Sequence, residues 1–87
     1  MVLHRLTMIP QYRLQKLSPE FRERYMKKYG DKMVYIYTGQ WRALWRPNSN
    51  GYTDDKSQAG IYSLREAHEA SGHCGPEKKI FYKIIIS

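Results

Sequence analysis

Two arginines four residues apart raise the first chemical possibility in this chain. In Trp41-Arg42-Ala43-Leu44-Trp45-Arg46-Pro47, a strand's period of two sets Trp41, Ala43 and Trp45 on one face and Arg42, Leu44 and Arg46 on the other. At the strand rise the two guanidinium groups stand roughly 13 Å apart. Each is a planar fork that fits a phosphate or a carboxylate. The same alternation also describes two core tryptophans behind a solvated face. Downstream, Gly51-Tyr52-Thr53 and Gly60-Ile61-Tyr62 pair glycines with tyrosines. The glycines let backbone N–H groups approach a ligand, and the tyrosine rings can stack on a base. Asp54 and Asp55 count against a simple phosphate cradle, and neither GxGxxG nor the Walker pattern (GxxxxGK followed by Ser or Thr) occurs. A structural loop plugged by its own tyrosines fits these residues equally well.

A third concentration is His73-Cys74-Gly75-Pro76-Glu77-Lys78, a turn-rich connection. His73 can hydrogen-bond in either protonation state. Cys74 would be nucleophilic only with a lowered pKa, and one cysteine beside one histidine does not make a triad, which is recognised by geometry. His68, His73 and Cys74 with an aspartate match no standard zinc spacing. No catalytic residue, metal site or cofactor is therefore assigned. A turn whose histidine ties loops together is the plainer reading.

These residues need elements to position them. Ser18-Pro19-Glu20 is a helix start, with Ser18 as N-cap and Pro19 in the first turn, so a helix is expected over 19–29. Phe21, Tyr25 and Tyr29 recur every four residues beside Met26 and form its inward stripe, and Gly30 suits a left-handed stop. Residues 33–38 are β-branched and aromatic, Gly39-Gln40 is a two-residue turn, and 41–46 is the partner strand, ended by Pro47. The 13 residues from Asn48 to Gly60 form a loop of functional length. Ser63 and Glu66 make a capping box for a helix over 64–71, with Leu64, Ala67 and either His68 or Ser71 facing inward. Residues 79–86 are apolar on both faces, as in a central or well-covered strand. Pro10 interrupts the apolar spacing before residue 17, so 1–17 reads as a basic, extended or irregular N-terminal arm. The expected architecture is a single α+β domain over 18–87, a three-stranded antiparallel sheet with two helices.

The chain has 87 residues, a formal net charge of +7 and a single cysteine. One cysteine excludes an internal disulfide and suits a reducing compartment. No apolar run approaches the roughly 18 residues of a membrane span, and the first residues lack a signal-peptide core. A chain this short has a thin stability margin, which makes a homo-oligomer plausible. Residues 1–30 carry seven Lys/Arg against two Glu, so most of the excess charge lies there. Arg13, Lys16, Arg24, Lys27 and Lys28, with Arg5 and Arg22, are candidates for a nucleic-acid or partner patch, or for an ordinary solvated helix face.

The blocks Trp45-Arg46-Pro47-Asn48, Gly51-Tyr52-Thr53, Ala59-Gly60-Ile61-Tyr62, Glu66-Ala67 and His73-Cys74-Gly75-Pro76-Glu77-Lys78 occur in that order. This pattern, covering roughly half the chain, resembles a group of short uncharacterised proteins encoded by phages and prophages. The resemblance transfers no activity. It implies a phage setting, in the cytoplasm of an infected bacterial host, and small phage accessory proteins often act against host defence. A non-enzymatic trap for an anionic nucleotide-type signal would fit physically. Arg42, Arg46 and Lys78 would neutralise phosphates, Tyr52 and Tyr62 would stack on a base, and Thr53 and His73 would hold a ribose or base edge. The alternatives are an inhibitor of a host defence protein complex through protein contact, in the manner of an anti-CRISPR, and a basic nucleic-acid-binding accessory protein. No membrane partner is expected.

Overall fold

The computed structural model describes residues 8–85. In chain order the elements are β1 (Met8–Pro10), α1 (Gln11–Gln15), α2 (Pro19–Tyr29), β2 (Met33–Thr38), β3 (Ala43–Trp45), β4 (Tyr52–Thr53), β5 (Tyr62–Ser63), α3 (Leu64–Ala70) and β6 (Ile80–Ile84). The α+β class is as expected, but the three-stranded sheet with two helices is not. The sheet has six antiparallel strands in the order β1-β6-β2-β3-β4, with β5 also paired to β2, and there are three helices. The added pieces are short. Met8–Pro10 pairs with β6, Tyr52–Thr53 pairs with β3, and Tyr62–Ser63 pairs with the first residues of β2. Strands of two or three residues have too little periodicity to be read from a sequence.

β6 sits between β1 and β2, which explains why its sequence is apolar on both faces. Register partners across β2 and β6 share a face. Val34, Ile36, Thr38, Ile80 and Tyr82 are buried against the helices, while Tyr35, Tyr37, Phe81 and Lys83 are half-buried on the other face. The segment read as an irregular arm supplies part of the core from residue 8 onward, and its first seven residues lie outside the described ones. Leu14 is fully buried and Ile9 nearly so. Pro10, expected to interrupt a helix, instead precedes one as the N-cap of α1, where its missing N–H costs nothing. Arg22 ties α1 to α2 by donating to the carbonyls of Leu14, Gln15 and Leu17 at 2.9–3.1 Å.

Helix α2 starts as expected, with Ser18 accepting from the Phe21 N–H. Its inward stripe is narrower than expected. Met26 is buried, Tyr25 and Tyr29 are half-buried with ring centroids 4.8 Å apart, and Phe21 is exposed. Gly30 ends the helix in the right-handed region (φ −61°), not the left-handed one. Its glycine serves close approach, because Arg65 donates to the Met26 carbonyl at 3.0 Å through the space a side chain would fill. Helix α3 carries the expected capping box, and Leu64, Ala67 and Ser71 are buried while His68 is half-buried.

Beneath α3 lies a polar network. The Tyr82 hydroxyl meets Ser71 Oγ at 2.6 Å and the His68 ring at 3.4 Å. Ser71 also donates to the Ala67 carbonyl, and Gln11 of α1 donates to the Ser71 carbonyl at 2.6 Å. Burial pushes the Tyr82 phenol up to about 12, against hydrogen bonds from Ser71 and Gln11 that lower it. Burial, with Arg22 nearby, pushes His68 down.

Two outcomes follow from this core. Leu14→Ala should cost about 2–5 kcal/mol in urea unfolding. Tyr12→Ala, at an exposed ring, should change stability by less than about 0.5 kcal/mol. Because the raised Tyr82 pKa favours the protonated form in the folded state, its contribution is complete below the ordinary tyrosine pKa near 10. That contribution is lost as pH rises from about 10 to about 12. Absorbance titration at alkaline pH should find a tyrosine ionising near pH 12 that is absent in Tyr82→Phe, with Tyr25, also raised by burial, retained in the variant.

Candidate functional site

The turn between β2 and β3 decides where the first candidate residues go. It spans Gly39 to Arg42, four residues instead of two, and Arg42 takes a left-handed backbone (φ 51°). The expected strand over 41–46 therefore shrinks to Ala43–Trp45, and the expected alternation breaks at its start. Trp45 is 6% exposed and belongs to the core, whereas Trp41 is 59% exposed. Gly39-Gln40 would suit a type II′ turn, which needs glycine only at its first central position, so nothing local signals that Trp41 leaves the strand; in the structure Gly39 does not take the positive φ such a turn requires.

The turn is stitched to the segment before β6. Gly39 and Gln40 donate backbone N–H groups to the carbonyls of Lys79 and Lys78, at 2.9 and 3.2 Å, and Thr38 Oγ1 donates to the Lys78 carbonyl at 2.8 Å. A Cβ on Gly39 would press on the Lys79 side chain at 2.9 Å, so glycine permits the approach. Lys78 is thereby held beside the β2–β3 corner.

The 48–60 loop is organised, not free. The Arg46 N–H donates to the Gly51 carbonyl at 2.8 Å, and Arg46 Nε donates to the Tyr52 carbonyl at 3.1 Å. The Tyr62 hydroxyl donates to the Arg46 carbonyl at 2.5 Å and accepts from the Ser49 N–H at 3.1 Å. Thr53 is buried, and its hydroxyl accepts from the Asp55 N–H. Hydrogen bonds from Ser57, helped by Arg46, lower the Asp55 carboxyl. Tyr62 and Thr53 thus serve the loop, the structural alternative named for it above.

Two cavities adjoin at Tyr52. One, of about 360 Å³, is lined by Trp45, Ser49, Gly51, Tyr52, His73, Cys74 and Lys78. The other, of about 430 Å³, is lined by Trp41, Arg42, Ala43, Arg46, Tyr52, Thr53 and Asp54. Of the seven expected residues, Tyr52, His73 and Lys78 meet in the first, and Arg42, Arg46, Tyr52 and Thr53 in the second. Only Tyr62 lines neither. Trp41, read above as core, stands beside Tyr52 with ring centroids 6.4 Å apart and planes tilted by 32°. Tyr52 is itself 43% exposed. Arg42 makes no ion pair among the described residues, and Arg46 spends one of its five N–H donors on Tyr52.

Cys74 lies 3.8 Å from the His73 ring. Burial pushes its thiol up, Lys78 opposing and Glu77 adding, so the geometry disfavours a thiolate nucleophile. Among the described residues no group of three or more His, Cys, Asp or Glu is placed to hold a metal ion, and no helix is long and apolar enough to cross a membrane.

The basic residues of the N-terminal third make a broken surface. Lys16, Arg24 and Lys28 lie over the rings of Tyr12, Phe21 and Tyr29, at 5.4–5.5 Å from the centroids. Lys27 sits 3.9 Å from Glu23, Arg22 is committed to α1, and Arg13 is exposed. Arg5 lies outside the described residues.

With its pKa raised, Cys74 should react with iodoacetamide at pH 7.5 more slowly than an unstructured cysteine peptide, the rate rising with pH as the thiolate forms. Tyr62→Phe should destabilise the protein by about 0.5–1.5 kcal/mol in urea unfolding, since the part-buried Arg46 carbonyl and the exposed Ser49 N–H lose a shared partner. Comparison of the chain with protein-family models, with curated proteins and with solved structures finds no significant match.

Proposed function

We propose that this protein binds a small anionic ligand of the nucleotide type at the β3–β4 corner, without catalysing its conversion. One observation carries the reading: an exposed aromatic pair, Trp41 and Tyr52, flanked by Arg42 and Arg46 at the mouth of a cavity. Covering large exposed aromatics is favourable, by roughly 25 cal/mol per Å² of apolar surface removed from water. A heterocyclic base is flat enough to stack on such a pair, at about 1–3 kcal/mol per base. The guanidinium groups beside it then meet the phosphate, with forked hydrogen bonds as well as charge. Asp54 in the same lining opposes the anion and would favour a ligand that also offers N–H donors, as a base edge does.

The ordered blocks of sequence that resemble phage and prophage proteins supply the biological setting for this proposal. In the cytoplasm of an infected bacterium, such a protein would withhold a nucleotide-type signal from a host defence system.

Differential scanning fluorimetry with a panel of mononucleotides, linear and cyclic dinucleotides and ADP-ribose-type compounds tests the reading. At least one compound should raise the melting temperature, by an amount equivalent to about 2.7 kcal/mol when present at 100 times its Kd. Trp41→Ala and Arg42→Ala should each diminish that shift, and higher salt should weaken it. These variants are chosen over Arg46→Ala because Arg46 also holds the loop through Tyr52. A flat response across the panel at low salt would sink the proposal.

A further inference from the structure

The two cavities point to the size of the ligand. Their linings share Tyr52 and no other residue, so Tyr52 is the point at which they meet. Each volume, about 360 and about 430 Å³, lies on its own within the range of a small-molecule site. Each also has its own cationic equipment. The second has Arg42 and Arg46. The first has Lys78, whose charge is felt at the Cys74 sulfur. A ligand with one base and one phosphate group would fill one of these spaces and leave the other's cations unused.

Resting on the nucleotide reading, we infer that the ligand is a free dinucleotide: two nucleoside units joined through phosphate, straddling Tyr52 with one unit in each cavity. Tyr52 lies next to both units. Trp41 extends the stacking surface for the unit beside Arg42 and Arg46. Ser49, Gly51 and His73 offer hydroxyl, backbone and imidazole groups to the unit beside Lys78. The second cavity sets two guanidinium groups against the Asp54 carboxylate, whereas the first has the single ammonium group of Lys78, with Glu77 close enough to oppose it at the Cys74 sulfur. The more highly charged part of an asymmetric ligand therefore belongs at Arg42 and Arg46. The chemistry is shared by linear and cyclic forms and by dinucleotide cofactors linked through a pyrophosphate.

Isothermal titration calorimetry on the full chain separates this inference from the reading beneath it. The probes are AMP and GMP, linear pApA, cyclic di-AMP, NAD, and single-stranded adenine oligonucleotides of four and eight units. The inference expects at least one dinucleotide to bind one to one, about ten-fold or more tighter than either mononucleotide, a difference of about 1.4 kcal/mol. Which of the linear, cyclic and pyrophosphate-linked probes binds tightest identifies the linkage. Lys78→Gln and Arg42→Gln, each checked for an unchanged melting temperature, should both weaken that dinucleotide by about ten-fold. The backbone carbonyl of Lys78, not its side chain, makes the corner's hydrogen bonds, so Lys78→Gln should fold normally. Mononucleotides binding as tightly as dinucleotides, with only one of the two substitutions mattering, would overturn the two-unit ligand and leave the nucleotide reading standing. Affinity climbing steadily from two to eight units would also overturn it, in favour of a single-strand track. Absence of binding by every probe would remove both.

Discussion

The hydroxyl of Tyr82 must find a partner because its ring is fully buried. Much of the molecule is arranged around that requirement. β6 places the ring under the helices, in register with Ile36 of β2. Ser71, just beyond α3, answers the hydroxyl and in turn donates to the Ala67 carbonyl. Gln11 then binds the carbonyl of Ser71, which locks α1 to the end of α3. One phenol thereby sets where α3 stops, where the chain turns toward His73, and how the N-terminal segment docks. A missing member would leave a buried polar atom without a partner, at a cost of about 1–3 kcal/mol.

The candidate site inherits its position from that end of the sheet. The connection from Ser71 to Ile80 brings Cys74 and Lys78 back beside β3, and the stitches from Thr38, Gly39 and Gln40 hold it there. The opposite wall is the loop after β3, fastened by Arg46 and by the hydroxyl of Tyr62. Thus the two walls are joined by backbone and by partly buried hydrogen bonds, while the aromatic and cationic groups between them are left accessible. Binding surfaces of this kind lose little ordering entropy when a ligand arrives. Most of the described N-terminal basic residues differ: Lys16, Arg24 and Lys28 lie over rings, Lys27 faces a carboxylate and Arg22 binds carbonyls, while Arg13 is exposed.

The parts legible in the sequence were those with strong local rules. Ser18-Pro19 and the Ser63/Glu66 capping box placed two helix starts, and the apolar run of β6 announced a central strand. Tyr52, His73 and Lys78, singled out by residue type, line one cavity, although nothing local requires the 25 intervening residues to bring Tyr52 and Lys78 together. What escaped was decided by tertiary context. β1, β4 and β5 exist because a longer neighbour offers an edge, and two or three residues carry no pattern of their own. Pro10 looked like an interruption and acts as a start. Trp41 was placed in the core by an alternation that the four-residue turn cancels, and Tyr62 was offered to a ligand when the loop had already claimed its hydroxyl.

The left-handed backbone of Arg42 belongs to a set that also includes Asn48, Ser49 and Lys79, none of them glycine. All four border the same corner of the molecule. Left-handed backbone costs a residue with a Cβ roughly 1–2 kcal/mol, less for asparagine, and nothing for glycine. Among the described residues, two of these four, Arg42 and Ser49, line the cavities of the proposed site. A variant with glycine at position 42 would relieve that backbone cost and remove the guanidinium in the same step. Under the proposed binding role, thermal robustness and recognition are opposed at this corner: the substitution that relaxes the backbone also removes the charge offered to the ligand.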